Sequence, residues 1–204
     1  MPSWKRNLIC CESLIHRGEN VARIGQFTSK PLPESAHPNI VDCASKNRTE
    51  FGDIWLLANC KFVIAWGCTG IYWVAATFGK PTVIADYYHL YKNSYCPQDL
   101  YFPQLAWSRS EKTQIVWEDN QAQRLAQVWS LIEGDLEIVK NTAEEITEVV
   151  LEMNQRIDGT WVETDEDIEL QERFKKLRRS QPPWKVQQSV RIGAAFLRCY
   201  KHLL

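Results

Sequence analysis

The sequence predicts a mixed α/β fold: a Rossmann-like parallel sheet followed by a C-terminal helical segment. Three observations carry that expectation. Phe62-Val63-Ile64-Ala65 and Thr82-Val83-Ile84-Ala85 are short, continuous apolar runs, the pattern of strands buried on both faces. Between them Ile71 to Phe78 has helical spacing, and Gly79-Lys80-Pro81 stops it, so the three segments make a parallel βαβ unit. Upstream, helix and strand patterns follow the order of a doubly wound sheet.

Each element has its own signal. Leu8 to His16 places apolar residues at Leu8, Ile9, Leu14 and Ile15, with Arg17-Gly18 as a stop, and predicts a short helix. Asn20 to Ile24 predicts a strand broken by Gly25. Gln26 to Pro38, with its prolines and serines, predicts a loop, and Asn39 to Ala44 another strand. Thr49 is the expected N-cap of a helix with Glu50 and Asp53 in its first turn. Phe51, Ile54, Trp55, Leu57 and Ala58 form that helix's expected apolar face. Tyr87 to Thr113 is aromatic and aperiodic and predicts a long functional loop. A short strand at Gln114 to Trp117 and a helix at Ala122 to Ile132 follow.

Thr142 and Glu145 predict a capping box, opening a helix whose stripe is Ile146, Val149, Val150, Met153 and Ile157. Thr164 to Arg179 predicts a helix with Asp165, Glu166 and Asp167 at its start and Lys175, Lys176, Arg178 and Arg179 at its end. These charges suit the macrodipole and read as solvated helix ends. Beyond Gln181-Pro182-Pro183 a last helix is expected over Ser189 to Leu203, with Ile192, Phe196, Cys199, Tyr200 and Leu203 facing inward. The expected division is a core over 1–118 and packing helices over 119–204. One element is wanting. Half of a doubly wound sheet begins with a central strand ahead of its first helix, and Met1 to Arg6 is too short and polar to supply it. The sheet is therefore expected to be incomplete at its middle or to be filled by another chain.

Composition narrows the function classes. A chain of 204 residues, 45% hydrophobic, suffices for one core. A formal net charge of −1 argues against a general nucleic-acid or anionic-membrane binder. No apolar run approaches the roughly 18 residues of a membrane span. Met1 to Asn7 lacks the apolar core of a signal peptide, so a cytoplasmic location is expected. Seven cysteines, an odd count without CxxC spacing, predict reduced thiols rather than a disulfide framework or a zinc site.

The turn Gly67-Cys68-Thr69-Gly70, between strand and helix, is the chief candidate site. Amides at a helix start lack intrahelical partners, and the macrodipole adds partial positive charge there. Two readings of the glycines stand: Gly67 and Gly70 let a phosphate approach the backbone, or they only permit a tight, closely packed turn. The pattern is neither a P-loop nor a GxGxxG fingerprint. Cys68 at a helix start is either a small packed residue or a thiol of lowered pKa.

In order, these segments resemble the C-terminal half of GT-B-type glycosyltransferase-like proteins found with bacterial surface-polysaccharide genes. The likeness lies in NVARIG (Asn20 to Gly25), IVDCA (Ile40 to Ala44), EFGDIWLLANCKFVI (Glu50 to Ile64), FGKPTVIAD (Phe78 to Asp86), NTAEEITEVVLEMNQRIDGTW (Asn141 to Trp161), EDIELQERF (Glu166 to Phe174) and RIGAAFLRCYKHLL (Arg191 to Leu204). Their order and spacing matter more than any one motif. Thr69 and Gly70 agree with the family's turn, and Cys68 departs from it. The resemblance implies transfer of a sugar from a nucleotide-sugar donor, with no metal and no further cofactor. It implies a donor diphosphate against Gly67, Cys68, Thr69 and Gly70, with Arg23 and Gly25 lining the same edge. Arg23 is read there as a phosphate ligand or as one half of a surface ion pair. Asp53 is a helix-cap acid or a ligand contact. Tyr87, Tyr88 and His89 border the sugar, with His89 a general base or a packed ring. The acceptor domain is not in this sequence. A partner chain or a homo-oligomer completing the sheet and the cleft is thus one expectation; a non-catalytic nucleotide-sugar module or an inactive truncated fragment is the other.

Overall fold

A computed structural model describes residues 3–26, 30–34, 36–46, 48–67, 69–87, 96–117, 136–179 and 191–204. The fold is mixed α/β. Helix α1 (Ser3–Ile15) leads to β1 (Val21–Arg23) and β2 (Ile40–Asp42), which pair in parallel. Helix α2 (Glu50–Asn59) is capped as its sequence demands, with Thr49 Oγ1 accepting the Gly52 N–H at 2.9 Å. Then come β3 (Val63–Trp66), α3 (Ile71–Thr77) and β4 (Thr82–Tyr87), with Val63 opposite Thr82 and Trp66 opposite Ala85 in parallel register. The expected βαβ unit is present.

The expected long loop over Tyr87 to Thr113 is not one. It holds β5 (Leu100–Pro103), parallel to β4, and β6 (Leu105–Ser108). Leu100, Tyr101, Phe102 and Pro103 are all buried, so β5 is a strand without polar alternation and its period is invisible. Only Gln104 separates β5 from β6; its N–H donates to the Tyr87 carbonyl at 2.9 Å. Strand β6 lies between β7 (Thr113–Gln114) and β8 (Leu136–Val139) in an antiparallel sheet. The strand expected at Gln114 to Trp117 is thus shorter and earlier. The helix expected over 122–132 lies outside the described residues.

Helix α4 (Ala143–Ile157) has both halves of the capping box: the Glu145 N–H donates to Thr142 Oγ1 at 3.1 Å, and the Thr142 N–H to Glu145 Oε2 at 2.7 Å. Its stripe of Ile146, Val149, Val150 and Met153 is fully buried against α1, β4 and β5. Helix α5 (Asp165–Arg179) corrects the reading of its charges, since Asp167 is only 2% exposed. Burial pushes the Asp167 carboxyl up. The Thr164 amide and hydroxyl, together with Arg198, outweigh that and hold it below its ordinary value. The single C-terminal helix expected over Ser189 to Leu203 is instead β9 (Arg191–Ile192), α6 (Ala194–Cys199) and a 3₁₀ turn (Lys201–Leu203). Strand β9 joins the edge of β5, so the segment over 119–204 contributes to the sheet as well as to its cover. Cys199, expected inward, is exposed.

The parallel sheet therefore runs β3-β4-β5-β9, and β1-β2 is a separate hydrogen-bonded pair. Val83, Ile84, Ala85, Leu100 and Phe102 form its centre at or near zero exposure. Helices α1 and α4 cover one face. On the other, Leu57 of α2 and Ala75 of α3 pack on Val63. The expected apolar face of α2 is divided. Leu57 is 2% exposed, while Phe51, at 75%, and Ile54 and Trp55 point to solvent.

Candidate functional site

Parallel strands end together, so the carboxyl ends of β2, β3 and β4 are the places to look for a ligand. At the end of β3 the chain turns through Gly67, in the left-handed region at φ +66, where a side chain would strain the backbone. The Gly67 N–H donates to the Ala85 carbonyl at 2.8 Å, so this amide continues the β3-β4 ladder and is not offered to a ligand. Thr69 and Gly70 follow, and both are exposed. Gly70 caps α3 with no side-chain bond, and its amide and that of Ile71 precede the first intrahelical bond. Cys68 lies outside the described residues.

Gly25, also in the left-handed region at φ +124, comes to the same corner: a Cβ there would sit 3.8 Å from Ile71 Cδ1. Arg23 does not reach it with a free guanidinium. Its Nη1 pairs with Asp42 Oδ2 at 3.4 Å, and its Nη2 donates to the Lys30 carbonyl at 2.8 Å. Burial pushes the Asp42 carboxyl up, but the Ser45 hydroxyl, the Leu32 amide and Arg23 together hold it below its ordinary value. Tyr87 is 8% exposed, with its ring edge-on to Tyr101 at 6.1 Å in the core. Tyr88 and His89 lie outside the described residues.

Two groups unmarked in the sequence complete the corner. Asp86, next to last in β4, lies in the left-handed region at φ +53, uncommon for a non-glycine residue, and its carbonyl stands 3.8 Å from where a Gly67 Cβ would be. Its carboxylate is held by Arg6 of α1, which is 6% exposed and also donates to the Asn141 carbonyl. The pair is thus charge-neutral and lies beside the open turn. No local pattern joins Arg6 to Asp86, which is why sequence reading missed it.

A cleft of about 630 Å³ lies at the neighbouring strand end and not at this turn. It runs from the end of β2 to the start of α2, with His37, Asp42, Lys46, Arg48 and Asp53 among its walls. Arg48 pairs with Asp53 at 2.9 Å and Asp42 with Arg23, so most of the cleft's charge is internally matched. Of the sequence candidates, Asp53 lines it. Among the described residues no group of three His, Cys, Asp or Glu side chains is placed to hold a metal ion, and no helix is long and apolar enough to cross a membrane. Compared with known protein families, curated proteins and solved structures, the chain matches none.

Proposed function

We propose that this chain is the donor-binding half of a GT-B-type glycosyltransferase of surface-polysaccharide or glycoconjugate synthesis, Rossmann-like in its sheet. In this reading the diphosphate of a nucleotide sugar rests on the amides of Thr69, Gly70 and Ile71. One observation carries most of the weight: a left-handed glycine leads to exposed Thr69 and Gly70 at the start of a helix, where the first amides precede the intrahelical bonds, at the carboxyl end of a parallel strand. Charge that develops on a leaving diphosphate is stabilised by donors already in place. Gly25 keeps the neighbouring strand end small enough for such a group to approach. The acceptor and a general base come from another domain or chain, since transfer needs both substrates oriented together. Arg23, held by Asp42, favours a second reading in which the chain binds a nucleotide sugar without turning it over.

Titration of the purified chain with UDP-, GDP- and CMP-sugars, followed by backbone amide NMR, tests the proposal. One donor class is expected to bind saturably and to shift the Thr69, Gly70 and Ile71 amides. Thr69→Pro, which removes one amide donor, is expected to weaken that binding about tenfold, the scale of one hydrogen bond to a charged group. Shifts confined to the Asp42–Asp53 cleft, or no binding by any donor, overturn the assignment. Saturable binding without donor hydrolysis selects the non-catalytic reading.

A further inference from the structure

We infer that a pocket at the amino-terminal end of β5 and β9 binds a small organic anion, a carboxylate carried on an apolar body. The pocket encloses about 300 Å³, at the lower end of the range for small-molecule sites, so its occupant is small. Pro97 and Gln98 lead into β5, Arg191 opens β9 opposite Leu100, and Arg156 and Trp161 flank the C-terminal end of α4. The candidate turn at Gly67 follows the carboxyl end of β3, in the same parallel sheet as β5, so the two sites lie at opposite ends of that sheet. Gly159, in the left-handed region at φ +70, reverses the chain after α4 and so brings Trp161 back to the helix end. The Thr160 and Trp161 N–H groups donate to the Gln155 carbonyl at 2.9 and 3.2 Å. The Arg156 guanidinium covers the Trp161 ring, its Cζ 5.1 Å from the ring centre.

The chemistry of the walls selects the occupant. Pro97, Met153 and Ile157 give it apolar surface. Among the polar side chains of the lining, Arg156, Trp161 and Arg191 can only donate hydrogen bonds, and Gln98 can also accept. Trp161 Nε1 and Arg191 Nε are shielded from water and meet no acceptor among the described residues. Two such donors in the walls of one pocket call for an acceptor from outside. Both side chains are partly exposed, Arg191 at 26%, so a small turn of each presents its N–H to the pocket. The carboxylates that balance the guanidiniums are not in the lining. Glu163 Oε1 accepts from Arg156 Nη2 at 3.1 Å and from Arg191 Nη2. Glu152 accepts from Arg156 Nε at 2.8 Å and from the Ala194 N–H at 2.7 Å. Burial and the neighbouring Arg156 charge push the Arg191 guanidinium below its ordinary value, against the pull of Glu152. An anion between the two guanidiniums relieves that repulsion, and a planar carboxylate matches their donor geometry. The charges of Arg156, Arg191, Glu152 and Glu163 sum to zero, which favours a singly charged carboxylate over a doubly charged phosphate. The site is independent of the donor reading, because it uses none of the turn amides.

The test is titration of the full chain with benzoate, followed by the Trp161 indole N–H resonance, which is assigned by its loss in Trp161→Phe. Saturable binding that shifts this resonance is expected. Acetate is expected to bind more weakly because it lacks the apolar body, and benzamide and benzylamine because they lack the anion. Trp161→Phe keeps an aromatic ring and removes one donor, and is expected to weaken benzoate binding about tenfold, as loss of one hydrogen bond to a charged group does. Arg191→Lys keeps the charge but removes the Nε–H, and is expected to weaken it as well. The inference is overturned if benzoate fails to bind or shifts only the Thr69, Gly70 and Ile71 amides, or if acetate or benzamide binds as tightly. It is also overturned if Trp161→Phe, at an unchanged melting temperature, binds benzoate as the parent chain does. Protection of the Trp161 indole N–H from exchange in the free chain overturns it too, because the chain itself then supplies the acceptor.

Discussion

Gly193 illustrates how much a single position can depend on packing. A Cβ built there would lie 2.4 Å from Val149 Cγ2, and Val149 is itself completely buried on α4. Gly193→Ala is expected to lower stability by about 1–3 kcal/mol, the usual range for overpacking. Val149→Ala in the same chain makes room, so the double variant is expected to be more stable than the two single effects summed. Urea midpoints check both, and an unchanged midpoint for Gly193→Ala contradicts this close contact. In the sequence Gly193 is one glycine among nine, and nothing local marks it as the tight one. The Arg6–Asp86 pair is equally hidden, since the two residues meet only because α1 and β4 pack together. Gly67 and Gly25, by contrast, stood out as turn residues, and both adopt positive φ.

Among the elements, α4 was the most fully legible. A capping box and an apolar stripe are local codes, and the stripe is 3.6-periodic over four turns. Thr142→Ala is expected to lower stability by about 1 kcal/mol, as loss of an N-cap does. Glu145→Ala is expected to lower it further, because Glu145 also accepts the Tyr200 hydroxyl and so ties α4 to the end of α6. Thermal melts of the two variants check the order, and equal melting temperatures contradict it. Strands β5 and β6 were illegible for the opposite reason. Strand β5 is buried throughout, and in β6 the exposed residue is Trp107 while Ser108 is buried, so polarity marks no period, and the single residue between them hides the change of sheet. Strand β9, two residues long, has too little sequence to carry any period.

At the scale of the whole molecule, the division of strands sets an order of stability. Strand β4 is bonded on both edges and its Val83, Ile84 and Ala85 are buried, whereas among the described residues β1 and β2 bond only to each other. Local opening follows such differences in burial and bonding. The β4 amides are expected to exchange only through global unfolding, and the β1 and β2 amides through a cheaper, partial opening. Native-state exchange across a urea series checks this; equal opening energies for both groups contradict it. Exposed Phe51, Ile54 and Trp55 belong to the same scale, because a helix cannot announce which of two apolar faces its neighbours will cover.

By itself the sequence determined what nearest neighbours control: the βαβ unit, the caps at Thr49 and Thr142, and the left-handed turns. These are settled within a few residues by sterics and unpaired backbone groups. Tertiary structure alone decided which strand lies beside which, that Arg6 closes on Asp86, that Asp167 is buried, and that β1 and β3 keep separate partners. Those outcomes depend on contacts between residues distant in the chain, and hydrophobic burial, being non-directional, leaves no local mark of which surfaces will meet.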